Sequence, residues 1–153
     1  RPLHLGAVIA RPAATEHSEL LNVLSAYGLP LGEAFQLRDD MLGIFGDPQE
    51  TGKPAGDDLR EGKRTVLMAM TMEKASDAAR AELTANLGNP SLSAEKIESL
   101  RSLITETGAI ADVEKLIDRL GEESVAAAHS AAINESARPF LLALAETAIR
   151  RSY

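Results

Sequence analysis

The chain has 153 residues with 44% hydrophobic content, enough for one domain, or a piece of one, with a real core and too apolar for a disordered chain. Without cysteine, a disulfide framework, a thiol nucleophile and thiolate zinc sites are excluded, which leaves Ser, Thr, His, Asp, Glu and Lys for chemistry. The formal charge of −7 disfavours nucleic acid and anionic membranes as partners, and no apolar run approaches the ~18 residues of a membrane span, so a cytoplasmic protein is expected.

Aromatic residues are 3% of the chain, while Ala, Leu, Glu and Arg dominate nearly every window, so the expected fold class is all-α. A first helix is expected over Leu3 to Ala10, ending at Arg11-Pro12. His4 interrupts its apolar stretch, which argues against a signal peptide. Thr15 can cap the next helix, whose apolar residues recur at Leu20, Leu21, Leu24 and Tyr27 and again at Leu31, Phe35, Leu37, Leu42 and Phe45. Gly28 and Pro30 imply a kink or break between those two halves. Gly46 to Gly62, with four glycines and two prolines, reads as a long loop, and its dense mixture of charges favours a functional one. A helix from Thr65 to about Leu87 follows, with Val66, Leu67, Met70 and Ala78 inward and Met68, Met70 and Met72 as packing residues. Ser93 can cap a helix to Thr107, and Gly108 suits a left-handed terminator. Ala109 to Ala132 has Ile110, Val113, Ile117 and Leu120 at helical spacing. Pro139 opens a last helix with Phe140, Leu141, Leu144 and Ile149 as its apolar face.

The first chemical signal is Asp39-Asp40 inside the apolar segment FQLRDDMLGIF. Adjacent like charges cost stability there unless a cation satisfies them. On a helix Phe35 shares a face with Asp39, and Gln36 with Asp40, so an amide and two carboxylates stand at one end of an apolar wall. Such oxygens suit Mg²⁺, which takes one or two protein carboxylates and fills its other positions with water and phosphate oxygens. A salt bridge to Arg38 or exposure at a helix end is the bland alternative. Lys53 and Lys63 follow on the glycine-rich segment, and together with the acids they make a metal-diphosphate grip. A P-loop fails, because five residues instead of four separate Gly56 from Gly62 and Arg64 follows the lysine. An EF-hand fails for lack of alternating oxygen ligands around Asp39 to Asp47. His4, His17 and His129 have no metal-ligand spacing, and Asn134-Glu135-Ser136 fits a glycosylation pattern of the kind that arises by chance.

The string Phe35-Gln36-x-x-Asp39-Asp40, with Phe45-Gly46-Asp47, Thr51-Gly52-Lys53-Pro54, Asp58-Leu59 and Glu61-Gly62-Lys63-x-Thr65, resembles the second aspartate-rich region of the trans-isoprenyl diphosphate synthases. The resemblance implies an isoprenoid synthase-type helical bundle and head-to-tail prenyl transfer. In that reaction Mg²⁺ helps an allylic diphosphate leave, and isopentenyl diphosphate attacks the carbocation. Asp39 and Asp40 would hold Mg²⁺; Lys53 and Lys63 would grip the allylic diphosphate; Gln36 would lie beside the substrate with Phe35 packing nearby. The product would be a short- or medium-chain, for example geranylgeranyl-type, diphosphate, made by a homodimer in the complete protein.

Two departures stand out. Gly43 replaces the third acid of the Asp-Asp-x-x-Asp pattern, and Asp47 reads as a loop cap more than a ligand. No first aspartate-rich motif occurs, and Arg1 to Ala10 resembles a segment from the middle of the family. The chain is therefore expected to be the C-terminal part of a single isoprenoid synthase domain, with little or no turnover alone. The alternative is a non-catalytic helical regulatory subunit of a heteromeric synthase. A terpene cyclase relative fits the loop lysines less well. Arg150 and Arg151 read as a solvated tail more than as groups reaching the diphosphate.

Overall fold

The computed structural model describes residues 2–10, 18–52, 54 and 56–150. Their regular structure is all α: α1 (Pro2–Ala10), α2 (Ser18–Phe45), α3 (Pro48–Thr51), α4 (Asp57–Glu61), α5 (Val66–Lys74), α6 (Asp77–Asn86), α7 (Ala94–Glu106), α8 (Ala109–Ala128) and α9 (Arg138–Ile149). Two compact units divide the chain, one built of residues 1–35 with 117–151 and one mainly of 36–116.

The first unit holds α1, the N-terminal part of α2, the C-terminal part of α8, and α9. Of the kink or break expected at Gly28 and Pro30, the break does not occur: α2 runs on as one helix through Pro30. The carbonyl that loses its partner to the proline belongs to Ala26, which is exposed to water. The carbonyl of fully buried Tyr27, next to it, accepts from Ser124 Oγ at 2.7 Å. Tyr27 Oη in turn donates to the Leu141 carbonyl at 2.8 Å, so both polar ends of this residue are satisfied within the core of Leu31, Ala128, Ala145 and Ala148. The inner face of α9 is the small pair Ala145 and Ala148, with Leu141 and Ile149 half-buried; Phe140 and Leu144, expected inward, are exposed. Small residues let α9 approach closely and leave its bulky side chains outside. Instead of reaching Ala132, α8 stops at Ala128. Arg138 closes that end by donating to the carbonyls of Ala128, Ser130 and Ile133. His4 Nε2 lies 3.0 Å from Ser25 Oγ, His129 is exposed, and Arg150 pairs with Glu146 at 3.3 Å.

In the second unit the C-terminal part of α2 packs Leu37, Met41 and Ile44 into a core shared with Leu59, Leu67 and Leu100. The expected loop over Gly46 to Gly62 contains two short helices. Asp47 Oδ1 caps α3 by accepting from Gln49 N at 2.8 Å, and Leu59, fully buried, anchors α4. The single helix expected from Thr65 to Leu87 is two, because Ser76 accepts from Ala79 N and starts a new helix after Ala75 turns extended. Leu67 and Met68 face the core there, whereas Val66 and Ala78 are exposed and Met70 is half-buried. Ser93 caps α7 as expected, accepting from Lys96 N, and Gly108 adopts φ 73°. Thr15, Lys53, His17 and Arg151 lie outside the described residues.

Candidate functional site

At its C-terminal end α2 presents charge on two sides. Arg38 is buried and gripped by Glu114 of α8 in a two-pronged pair, Nη1 to Oε1 at 2.6 Å and Nη2 to Oε2 at 2.7 Å. The guanidinium is therefore turned to Glu114 and not to the neighbouring aspartates, which answers the salt-bridge half of the bland alternative. The helix end is closed by Arg101, whose Nε donates to the Ile44 carbonyl at 2.7 Å while its guanidinium stands 6.0 Å over the Phe45 ring.

Asp40 is buried and accepts from Gln36 Nε2 at 3.0 Å, the i, i+4 contact that helical spacing implies, and from Lys63 Nζ at 2.9 Å. Asp39 is half-buried and makes no hydrogen bond or ion pair among the described residues. Gln36 and Phe35 are exposed, Phe35 being the last residue of the first unit.

Lys63 reaches Asp40 because of how α4 ends. Gly62, in left-handed geometry at φ 67°, reverses the chain, and the Lys63 N–H donates back to the Asp58 carbonyl at 3.0 Å. A side chain on Gly62 would meet Gly88 Cα at 2.9 Å, so glycine is required there for contact as well as for φ. The Gly88 N–H donates to the Leu59 carbonyl at 2.9 Å and ties this turn to the end of α6. Thus placed, Lys63 Nζ also lies 3.3 Å from Asp58 Oδ2. The Asp40 hydrogen bond, foremost, and the Asp58 charge raise the pKa of Lys63 above the ordinary lysine value, against the opposing effect of its partial burial. Beside Lys63 opens a cleft of about 600 Å³ with Arg64, Met68, Met72 and Leu87 in its walls.

Asp58 has no assigned role at the level of the sequence. The signal that could have found it is Gly43, whose missing side chain leaves room at the third acidic position, where the Asp58 carboxyl lies. Among the described residues no three His, Asp or Glu groups converge as a closed metal cage. What a cation meets instead is Asp39, with no partner among the described residues, and Asp40 and Asp58 already gathered around an ammonium. Hard oxygen donors of this number fit a Mg²⁺ ion that takes its remaining ligands from water and phosphate.

The Polyprenyl synthetase family matches residues 1–104. Over 148 residues, 96% of the chain, the sequence is 33% identical to a geranylgeranyl diphosphate synthase of Mycobacterium tuberculosis, of which it covers 40%. Over 108 residues, 71% of the chain, it is 38% identical to the geranylfarnesyl diphosphate synthase of Aeropyrum pernix, covering 33% of that protein. A geranylgeranyl pyrophosphate synthase from Corynebacterium glutamicum, complexed with isoprenyl diphosphate and magnesium, superposes with a TM-score of 0.84 at 43% identity, over 88% of this chain and 38% of that one. The chain thus spans well under half the length of these relatives. Its helices are those of the all-α isoprenyl synthases. A family match over more than half the sequence, together with a relative 33% identical over nearly the whole chain, leads to one assignment: the chain belongs to the polyprenyl synthetase family.

Proposed function

We propose that the complete protein is a prenyltransferase that joins an allylic diphosphate to isopentenyl diphosphate, and that this chain contributes one wall of its diphosphate site. The observation that carries the reading is the Lys63 ammonium held beside Asp40 and Asp58, one residue along α2 from an Asp39 that has no partner among the described residues. When the allylic C–O bond breaks, its electron pair leaves with the diphosphate, and the carbocation left behind takes electrons from the double bond of isopentenyl diphosphate. Loss of a proton from the adduct restores a double bond. Mg²⁺, when bound, would neutralise the charge growing on the departing diphosphate.

The chain's own part is to place charge where it develops. Lys63 and Lys53 would bind diphosphate oxygens, more strongly as the bond breaks. Asp39 and Asp40 would hold the cation, and Gln36 orients Asp40 by its hydrogen bond. Phe35 and the apolar side of α2 would keep water from the carbocation. Relatives named for geranylgeranyl and geranylfarnesyl products support a product of that class. Incorporation of labelled isopentenyl diphosphate by the complete protein tests the reading: Asp39→Ala and Lys53→Ala should each cost about 10²–10³-fold in turnover. Unaffected turnover removes the site assignment.

A second reading, a helical subunit that modulates an active synthase, is favoured by Gly43 and by the exposed apolar side chains Ile9 (75%) and Phe140 (76%). In that case Asp39→Ala changes nothing, while adding the protein to an active synthase shifts its product length.

A further inference from the structure

Gly43 and Asp58 fit one another. A Cβ on Gly43 would overlap the Asp58 carboxyl group and come within 2.6 Å of even its farther oxygen, Oδ1. Gly43 stands one turn after Asp39 on α2, so the bare backbone there admits a carboxylate that arrives from α4 instead of from the helix itself. Asp58 is 6% exposed and Asp40 7%. Two carboxylates so buried and so close require a countercharge.

Lys63 supplies it, and in a form that can be withdrawn. Its Nζ touches Asp40 and Asp58 by single contacts at 2.9 and 3.3 Å, its side chain is 38% exposed, and an ammonium on a four-carbon stem is flexible and tied to no fixed fork geometry. The cleft beside it gives the ammonium somewhere to go.

We propose that Lys63 is a placeholder cation: with no divalent metal present it neutralises Asp40 and Asp58, and when a metal ion takes those carboxylates the ammonium leaves them for the incoming diphosphate. This rests on the metal-diphosphate reading above and adds a consequence that reading does not contain. Metal and lysine compete for the same carboxylates, so removing the ammonium helps metal bind alone while it harms diphosphate binding.

The experiment is a titration of the full-length protein with Mn²⁺, followed by the electron paramagnetic resonance signal of the free ion, first without and then with inorganic pyrophosphate. Without pyrophosphate, Lys63→Gln and Lys63→Met should bind Mn²⁺ about three- to tenfold more tightly than the wild type, and Lys63→Arg, which keeps a cation, should not gain. With Mn²⁺ saturating, both neutral variants should bind pyrophosphate about tenfold more weakly. Unchanged or weaker Mn²⁺ binding in whichever neutral variant keeps the native circular dichroism spectrum overturns the proposal, and so does equal tightening in Lys63→Arg. Asp39→Asn separates the two levels of the argument. If the wild type binds Mn²⁺ and Asp39→Asn does not, the metal reading stands and only the lysine variants decide the placeholder; if the wild type binds none, both fall together.

Discussion

The contact between α2 and α8 and the contact between α2 and α4 are both ion pairs, yet they hold charge in opposite ways. At the first, a planar guanidinium meets both oxygens of Glu114 while 9% of the Arg38 side chain is exposed. At the second, one ammonium shares itself between two aspartates and remains 38% exposed. A bidentate fork resists rotation and fixes the register of two helices, whereas a point charge on a flexible stem can be exchanged for another cation. The difference separates two uses of charge along a short stretch of α2: Arg38 is locked to Glu114, and the proposed cation ligands Asp39 and Asp40 follow immediately after it.

Breaking the fixed contact should have the largest effect on stability. Arg38→Met takes the guanidinium away from Glu114, and because that side chain is 30% exposed the loss should be about 2–3 kcal/mol, at or below the lower end of the range for a broken buried pair. Urea unfolding of the variant measures it, and a loss below about 1 kcal/mol would mean that the fork does not hold α2 in place.

Next comes Gly43→Ala, which presses a methyl group into the Asp58 carboxyl and should cost about 1–3 kcal/mol by overpacking. The double variant with Asp58→Ala should recover more than about 0.5 kcal/mol of that, the mark of two residues in one contact. Additive losses would show that Gly43 serves α2 alone.

These two sites also show what was legible in the sequence. Local signals held: Ser93 as a cap, Gly108 as a terminator, Pro139 in the first turn of the last helix, and Gln36 beside Asp40 at one helical turn. Contacts between distant parts did not announce themselves. Arg38 meets Glu114 across 76 positions, and nothing near Arg38 distinguishes that partner from the adjacent aspartates. Asp58 reaches Gly43 only because α4 forms inside a stretch whose glycines and prolines read as loop. The break at Ser76 was hidden in an alanine-rich run, where good helix formers on both sides mask a capping serine. On α9, ranking side chains by size pointed inward at Phe140 and Leu144, but the packed face is the one made of alanines.

The exchangeable contact should register least in stability and most in its dependence on pH. Lys63→Gln at neutral pH and without metal removes an ammonium that is itself partly exposed but leaves two buried carboxylates short of their countercharge, so it should cost about 1–2 kcal/mol, less than Arg38→Met. The folded protein raises the pKa of Lys63 above its ordinary 10.5, chiefly through the hydrogen bond to Asp40, so its stabilisation is complete below that value and fades as pH rises through the raised one. Burial likewise raises the Tyr27 phenol above 10.0, so the unfolded chain ionises first and stability declines from there upward. The two effects share a sign and can be separated by variant: Tyr27→Phe should remove the earlier onset, and Lys63→Gln the later part of the decline. Arginine stays charged throughout this range. Unfolding free energies measured from neutral pH into this alkaline range should therefore keep the gap between wild type and Arg38→Met constant while the gap between wild type and Lys63→Gln closes. Two gaps that move in parallel would mean that both ion pairs are fixtures of the fold and that the ammonium is not exchangeable.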